Sequence, residues 1–426
     1  MILERLDLRG TTERLVDVLP RPDDVGESVH DVVAEILAQV RRDGDAAVRE
    51  LTARFDGVTL EALRVPDTEL AAARARVPAA VREALEVAYG RIFAYHAHEG
   101  TPPEDWRADG VTVRHLVRPV ARAGCYVPGG RARYPSTVLM CAAPAHVAGV
   151  AEVVLCVPPG PGGRVDDATL AAAAVAGIDE LYSIGGAQAV AAMAYGTATI
   201  DRVDVICGPG NRYVAEAMRQ VSGTVGVPAA FAGPSEVVVV AGPDTDPELA
   251  AIDIVVQAEH GPDGLAWLVT WSPEVLDAVN AAVERLVLAS PRRADLESTL
   301  HGGGHACLVD DVEAALAVAN VIAPEHLELL FEGADDYLGL VQSAGAVFLG
   351  PWSPASLGDY IAGPNHVLPT NRTARFSSAL RADDFRRHIH AVETDRAGLG
   401  RLAPHVIALA DTEGLPAHAA SVRIRQ

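Results

Sequence analysis

The chain has 426 residues, 49% of them hydrophobic and only 5% aromatic, and carries 35 Lys and Arg against 57 Asp and Glu, a formal net charge of −22. That is enough chain for two or more domains with buried cores, and the bias to small apolar side chains suits helices packed closely on parallel strands. So acidic a surface repels a phosphate backbone and argues against nucleic acid as a partner; an anionic ligand has to be held locally, by backbone N–H groups and helix N-termini.

The opening MILERLDLRG has neither the basic start nor the apolar run of a signal peptide. From Ser28 to Phe55 apolar residues recur at three- and four-residue steps (Val29, Val32, Val33, Ile36, Leu37, Val40, Val48, Leu51, Phe55), which predicts helix up to a stop at Gly57. A second helical stretch covers roughly Asp67 to His96. The middle changes character. Short β-branched runs at Glu152–Val157, Leu181–Ile184 and Val203–Cys207 alternate with Gly-rich turns and with helices after Ala168, from Ala187 and from Arg212 to Val221, the pattern of parallel βαβ units. A strand at Val237–Val240, a helix from Pro247 to His260, a strand at Leu265–Val269 and another at Ala346–Leu349 follow. Gly350 to His366 reads as a long loop, yet it carries Trp, Tyr, Ile and Leu, so an ordered site loop is expected. The last part reads as helical again. The five cysteines, Cys125, Cys141, Cys156, Cys207 and Cys307, are scattered, odd in number and without CxxC spacing, which predicts reduced thiols in a cytosol. No apolar stretch approaches membrane-spanning length, so a cytoplasmic protein without a membrane partner is expected.

Four places could carry chemistry. Gln257 and His260, in Gln257-Ala-Glu-His260, are three apart and share a helix face, where both could reach a metal; a histidine complementing the helix C-terminus is the plainer alternative. Pro324-Glu325-His326 is expected at a helix N-terminus, as either a dipole complement or two proton-transfer groups with different working pKa values. Asp359 and His366 sit on the Gly/Pro-framed loop, as ligands for a borderline metal such as zinc or as parts of a turn. Glu413 and His418 lie near the C-terminus, where fraying is the default. Of the Gly-rich turns at Tyr126–Gly130, Ile184–Gln188 and Gly208–Asn211, two join a strand to a helix, where N–H groups can receive a phosphate; such turns also occur wherever α/β packing is tight, and no GxGxxG occurs.

Taken together, the stretches GCYVPGGRARYPST, SIGGAQAVAAMAYGT, CGPGNRYVAEA, AGPSEVVVVA, QAEH, APEHLEL, GPWSPASLGDYIAGPNHVLPT and ARFSS resemble the histidinol dehydrogenase family, from the N-terminal helices almost to the C-terminus. The resemblance implies a zinc ion held by Gln257, His260 and Asp359, with His418 as a fourth ligand from the partner subunit of a homodimer. It implies Glu325 and His326 as the proton-transfer pair. Substrate contacts would come from Ser235, His366 and Glu413 together with Gln257, His260, His326, Asp359 and His418, and NAD would lie near Tyr126, Gln188 and Asn211. The implied reaction takes L-histidinol through a bound aldehyde to L-histidine with two NAD. Four places depart from the family pattern. Gly261 stands where an acidic residue is common and Met218 where a lysine is. Asn371-Arg372 replaces a small Gly-rich turn, and Ala-Leu-Arg-Ala-Asp-Asp follows ARFSS.

The expected fold is α/β, with two Rossmann-like parallel-sheet domains in an aldehyde-dehydrogenase-like layout and small N- and C-terminal helical extensions. The family layout implies an N-terminal extension at 1–24, a discontinuous catalytic domain at 25–126 plus 235–380, an inserted NAD domain at 127–234, and a helical tail at 381–426 that contacts the partner. Three competitors remain on sequence grounds: a dehydrogenase of the same scaffold acting on another small alcohol such as a sulfonated diol, a zinc hydrolase using Glu325 and His326, and a silent metabolite-binding protein.

Overall fold

The computed structural model describes residues 2–20, 29–100, 104–129, 133–228, 235–259, 261 and 264–426. Two parallel sheets organise them. The larger joins β1 (Glu4–Asp7), β8 (Glu236–Ala241), β9 (Leu265–Thr270), β10 (Gly304–Leu308), β11 (His326–Leu330) and β12 (Ala346–Leu349) in the order β1-β10-β9-β8-β11-β12. The smaller joins β4 (Arg122–Tyr126), β5 (Glu152–Cys156), β6 (Glu180–Tyr182) and β7 (Val205–Cys207) in the order β6-β5-β4-β7. In each, the chain builds outward from one strand and then crosses to that strand's other side. β8 precedes β9 and β10 before β11, and β4 precedes β5 and β6 before β7. This is the Rossmann-like reversal, and the expected α/β class holds.

Sequence pattern explains the layers. The strand Val237–Val240 is apolar at every position because both faces of its sheet are covered. Val237 and Val239 pack with α10 (Pro247–Ala258), α11 (Pro273–Ala289) and α12 (Arg293–Gly303), while Val238 and Val240 pack with α13 (Val312–Ile322). Asp246 caps α10 and Asp311 caps α13, each accepting a backbone N–H of the first turn.

The smaller sheet is sandwiched likewise. One face takes α4 (Asp67–Arg76), α5 (Ala79–His98), α6 (Pro135–Ala148) and α7 (Asp167–Ala176). The other takes α2 (His30–Asp43), α3 (Asp45–Asp56), α8 (Gly186–Tyr195) and α9 (Arg212–Val221). The implied division of the chain therefore needs correction at residues 29–126. The helices from His30 to His98 pack on the smaller sheet, where the stripe Val33, Ile36, Leu37, Val40, Val48 and Leu51 finds its apolar partner in the Ala-rich α8, and β4 is one of that sheet's strands. The first segment is also more than an extension: β1 pairs in parallel with β10, and the short α1 (Leu15–Val18) follows it.

Element boundaries differ where backbone breakers act. The stretch from Ser28 to Phe55 is two helices, split at Gly44 with φ 55°. Asp67 to His96 is also two, split before Pro78, which cannot extend a helix through its own position. The expected all-helical tail opens instead with β13 (Arg386–Thr394), antiparallel to β3 (Val111–Pro119), which also pairs with β2 (Trp106–Ala108). Only then come α15 (Arg396–Thr412) and α16 (Pro416–Arg423). Among the described residues no helix is long and apolar enough to cross a membrane.

Candidate active site

The amino ends of β8 and β11 meet the small-sheet unit at α6, the helix that follows β4. A continuous line of polar contacts runs across this junction. Ser235, just before β8, places its Oγ 3.4 Å from Gln257 Oε1 and donates to Glu325 Oε2 at 2.5 Å. The Glu236 backbone N–H donates to the same Glu325 oxygen at 3.2 Å. Glu325 Oε2 stands 3.8 Å from His326 Nδ1, and His326 Nε2 lies 3.2 Å from Asp359 Oδ1. The Asp359 carbonyl is 2.7 Å from His366 Nδ1, and His366 Nε2 is 3.1 Å from the Thr137 hydroxyl of α6. A carbonyl only accepts, so His366 carries its proton on Nδ1 and accepts from Thr137 at Nε2.

The Glu325–His326 pair does not open a helix, as its proline suggested. Ala323 ends α13 in the left-handed conformation at φ 51°, Pro324 follows, and His326 is the first residue of β11, in register with Val237 of β8 and Ala346 of β12. The buried run His326-Leu-Glu-Leu-Leu330 is a central strand, and a proline just before a strand forfeits no ladder hydrogen bond. Gly345 makes the close approach of β12 possible: a Cβ there would lie 2.6 Å from the Glu325 carbonyl oxygen.

Electrostatics follow from crowded carboxylates. Burial opposes a charge on His326, but Glu325, Asp359 and Glu328 outweigh it and raise the imidazole to about 9. Burial lowers His366. Glu236, buried and next to Glu325, is pushed up to about 8, against the pull of the Asn371 backbone and Arg372. The Asn371-Arg372 turn keeps a left-handed backbone at both residues, φ 51° and 62°. Its sequence departs from a Gly-rich pattern while its conformation remains the one glycine favours.

Ser235, Gln257, Glu325, His326, Asp359 and His366 thus converge. His260 lies outside the described residues; α10 ends at Ala258, with Glu259 as its C-cap. Glu413 and His418 are exposed on the C-terminal helices, and no hydrogen bond or ion pair described for them reaches this cluster. Among the described residues no group of three or more His, Cys, Asp or Glu side chains is arranged to hold a metal. Of the positions implied for a dinucleotide, Tyr126 and Gln188 are neighbours: the Gly186 N–H donates to the Tyr126 hydroxyl at 3.1 Å, and Gln188 is buried beside Gly186. Burial pushes the Tyr126 phenol up to about 12. Asn211 caps α9, accepting from Tyr213 and Val214 N–H, at the end of β7 beside β4 where the strand order reverses. Residue patterns gave no sign of Thr137, Asp253, Glu236 or Glu328. Asp253 does lie one helical turn before Gln257, and Glu328 lies two residues after His326 on the same strand face.

Two Rossmann-like parallel sheets, with a buried acid–imidazole pair among the polar residues where they meet, define an α/β protein with a candidate active site at that junction. The histidinol dehydrogenase family model matches residues 19–426. The histidinol dehydrogenase of Parasynechococcus marenigrum is 46% identical over 426 residues, covering 99% of this chain and 94% of that protein. That of Gluconobacter oxydans is 45% identical over 428 residues, covering 99% of each. The crystal structure of histidinol dehydrogenase from Elizabethkingia anophelis superposes with a TM-score of 0.95 at 34% identity, covering 100% of this chain and 98% of that one. The chain belongs to the histidinol dehydrogenase family, and so to the oxidoreductases.

Proposed function

We propose that this protein oxidises L-histidinol to L-histidine through histidinaldehyde, with two NAD and a zinc ion, as the last step of histidine biosynthesis. The observation that carries this reading is the convergence of Gln257 and Asp359 on either side of the Glu325–His326 pair, through Ser235 on one flank and directly on the other.

The donor chemistry fits zinc. An amide oxygen from Gln257, a carboxylate from Asp359 and imidazoles from His260 and a partner copy's tail are hard or borderline donors. Bound, the zinc would supply a Lewis-acid anchor for the substrate's nitrogens, and NAD would accept a hydride in each of two oxidations. His326 takes the proton of the substrate hydroxyl as the first hydride leaves, and later that of the aldehyde hydrate. His326 is held protonated by Glu325, Asp359 and Glu328, and its basic form would become accessible once Asp359 was engaged by a cation. Glu325, fixed by Ser235 and the Glu236 N–H, is oriented to accept a proton from the water that adds to the aldehyde. Holding the aldehyde in this junction between oxidations prevents loss of a reactive amino aldehyde. Glu413 and His418 reach the site from the second subunit of a homodimer, which accounts for their exposure in a single chain, and the protein works in the cytoplasm.

Anaerobic turnover with L-histidinol tests the reading. Two NADH per histidinol, abolished by a chelator and restored by zinc, are expected. No turnover of histidinol with brisk oxidation of a sulfonated diol would overturn it in favour of a different alcohol.

A further inference from the structure

Two carboxyl groups next to the site, one buried and one half-buried, have no part in the proton transfers. Glu328, fully buried on β11, accepts the Ala355 N–H at 2.7 Å through Oε1. Ala355 is the first residue of α14 (Ala355–Tyr360), whose N-cap is Pro354, a side chain with nothing to offer the exposed N–H groups of a first turn. The cap therefore comes from across the site. No N–H or hydroxyl donor among the described residues reaches Glu328 Oε2, and the Asp253 carboxyl of α10 lies against Glu328 at side-chain hydrogen-bond range. Two carboxyl groups in contact bond only if one holds a proton. The same two residues join three of the elements that carry the site. Asp253 is one turn before Gln257 on α10, Glu328 is two residues after His326 on β11, and Ala355 is one turn before Asp359 on α14. Gly358 seats α14 on Phe348 of β12, where a Cβ would meet the ring at 2.6 Å. That contact fixes the height of α14, and the bond to Glu328 fixes its end.

We propose that Asp253 and Glu328 are positioning residues: hydrogen-bonded to each other and to the N-terminus of α14, they tie α10, β11 and α14 together and set the separation of Gln257 and Asp359. They touch neither substrate nor metal and act through the ligands they place. The consequence for metal affinity rests on the zinc reading above; the mechanical claim about α14 does not.

The experiment uses the full chain with Glu328→Gln, Glu328→Leu and Asp253→Ala, read in two ways. In the metal-free protein, amide exchange over residues 355–360 should rise at least about tenfold in Glu328→Leu and Asp253→Ala. It should stay near wild type in Glu328→Gln, which keeps the acceptor for Ala355 and offers N–H to Asp253. In competition with a chromogenic chelator, the zinc dissociation constant should rise about 10- to 100-fold in the first two variants and return to near wild type in Glu328→Gln. Unchanged exchange in a folded Glu328→Leu overturns the proposal, as does a Glu328→Gln variant that behaves like Leu. If Glu328→Leu does not fold, Asp253→Ala, at a half-buried position, decides alone, and unchanged exchange there overturns it. A wild-type chain that takes up no zinc, with exchange altered as expected, would sink the metal reading and leave the strut standing.

Discussion

His326 lies within reach of three carboxylates, and each neighbour has a consequence that can be measured. Replacing it with Asn removes the base while leaving Gln257 and Asp359 in place, so turnover should fall by about 10²- to 10⁴-fold with zinc content unchanged. Metal analysis beside the kinetics checks this, and loss of zinc would contradict the role given to His326. Ser235→Ala deletes a charge-assisted hydrogen bond to Glu325, of the kind worth about 1.5–3 kcal/mol, so kcat should fall by roughly one to two orders of magnitude. Glu236 makes the clearest pH prediction. Its folded pKa, about 8, exceeds its value in the unfolded chain, so the folded state holds a proton that the unfolded state releases above about pH 4.5. Stability on this account is intact below pH 4.5 and is lost progressively as pH rises toward 8. Glu236→Gln should remove that loss, so its gain over wild type in urea unfolding should be small at pH 5 and grow to about 4 kcal/mol by pH 8. A pH-independent difference would count against the buried charge. The sequence exposed Glu325 and His326 as a chemical pair because adjacent acid and imidazole are easy to see. It hid Thr137, Asp253 and Glu328, because single polar residues acquire meaning only from what the fold lays against them.

At the scale of elements, the junction depends on β12 passing close to Glu325. Gly345→Ala would put a methyl against the backbone carbonyl of Glu325, and overpacking of this kind costs about 1–3 kcal/mol. The thermal midpoint should drop by several degrees, and kcat should fall as Glu325 shifts; an unchanged midpoint would show that β12 gives way freely. Strong periodicity made α9 and β12 legible to the residue. The long helical stretches were legible as helix but not as pairs, since their apolar stripes continue across Gly44 and Pro78 while the backbone does not. β13 escaped notice for a different reason. Its Ile389 and Val392 are exposed, so it lacks the buried alternating face that marks a strand, and its partner β3 lies far away in sequence.

At the scale of the whole molecule, the parallel α/β class was legible from repeated strand–turn–helix units. The grouping of the first helices with the smaller sheet was not, because an apolar stripe announces burial without naming its partner. The tail leaves Leu409, Leu415 and Ile424 exposed in the same segment of the chain as Glu413 and His418. If His418 serves the partner's site, then mixing inactive His418→Asn and His326→Asn proteins under conditions that exchange subunits should restore activity. Each mixed dimer would then have one site free of both changes. Failure of mixing to restore activity would place His418 in the site of its own chain or outside it. The central claim is that Gln257 and Asp359, from distant parts of the chain, share one metal ion beside Glu325 and His326. Anomalous diffraction at the zinc edge from crystals of the zinc-loaded protein tests it most directly. The account predicts a single strong peak bonded to Gln257 Oε1 and to Asp359; zinc bound elsewhere, with these two side chains unligated, would contradict it.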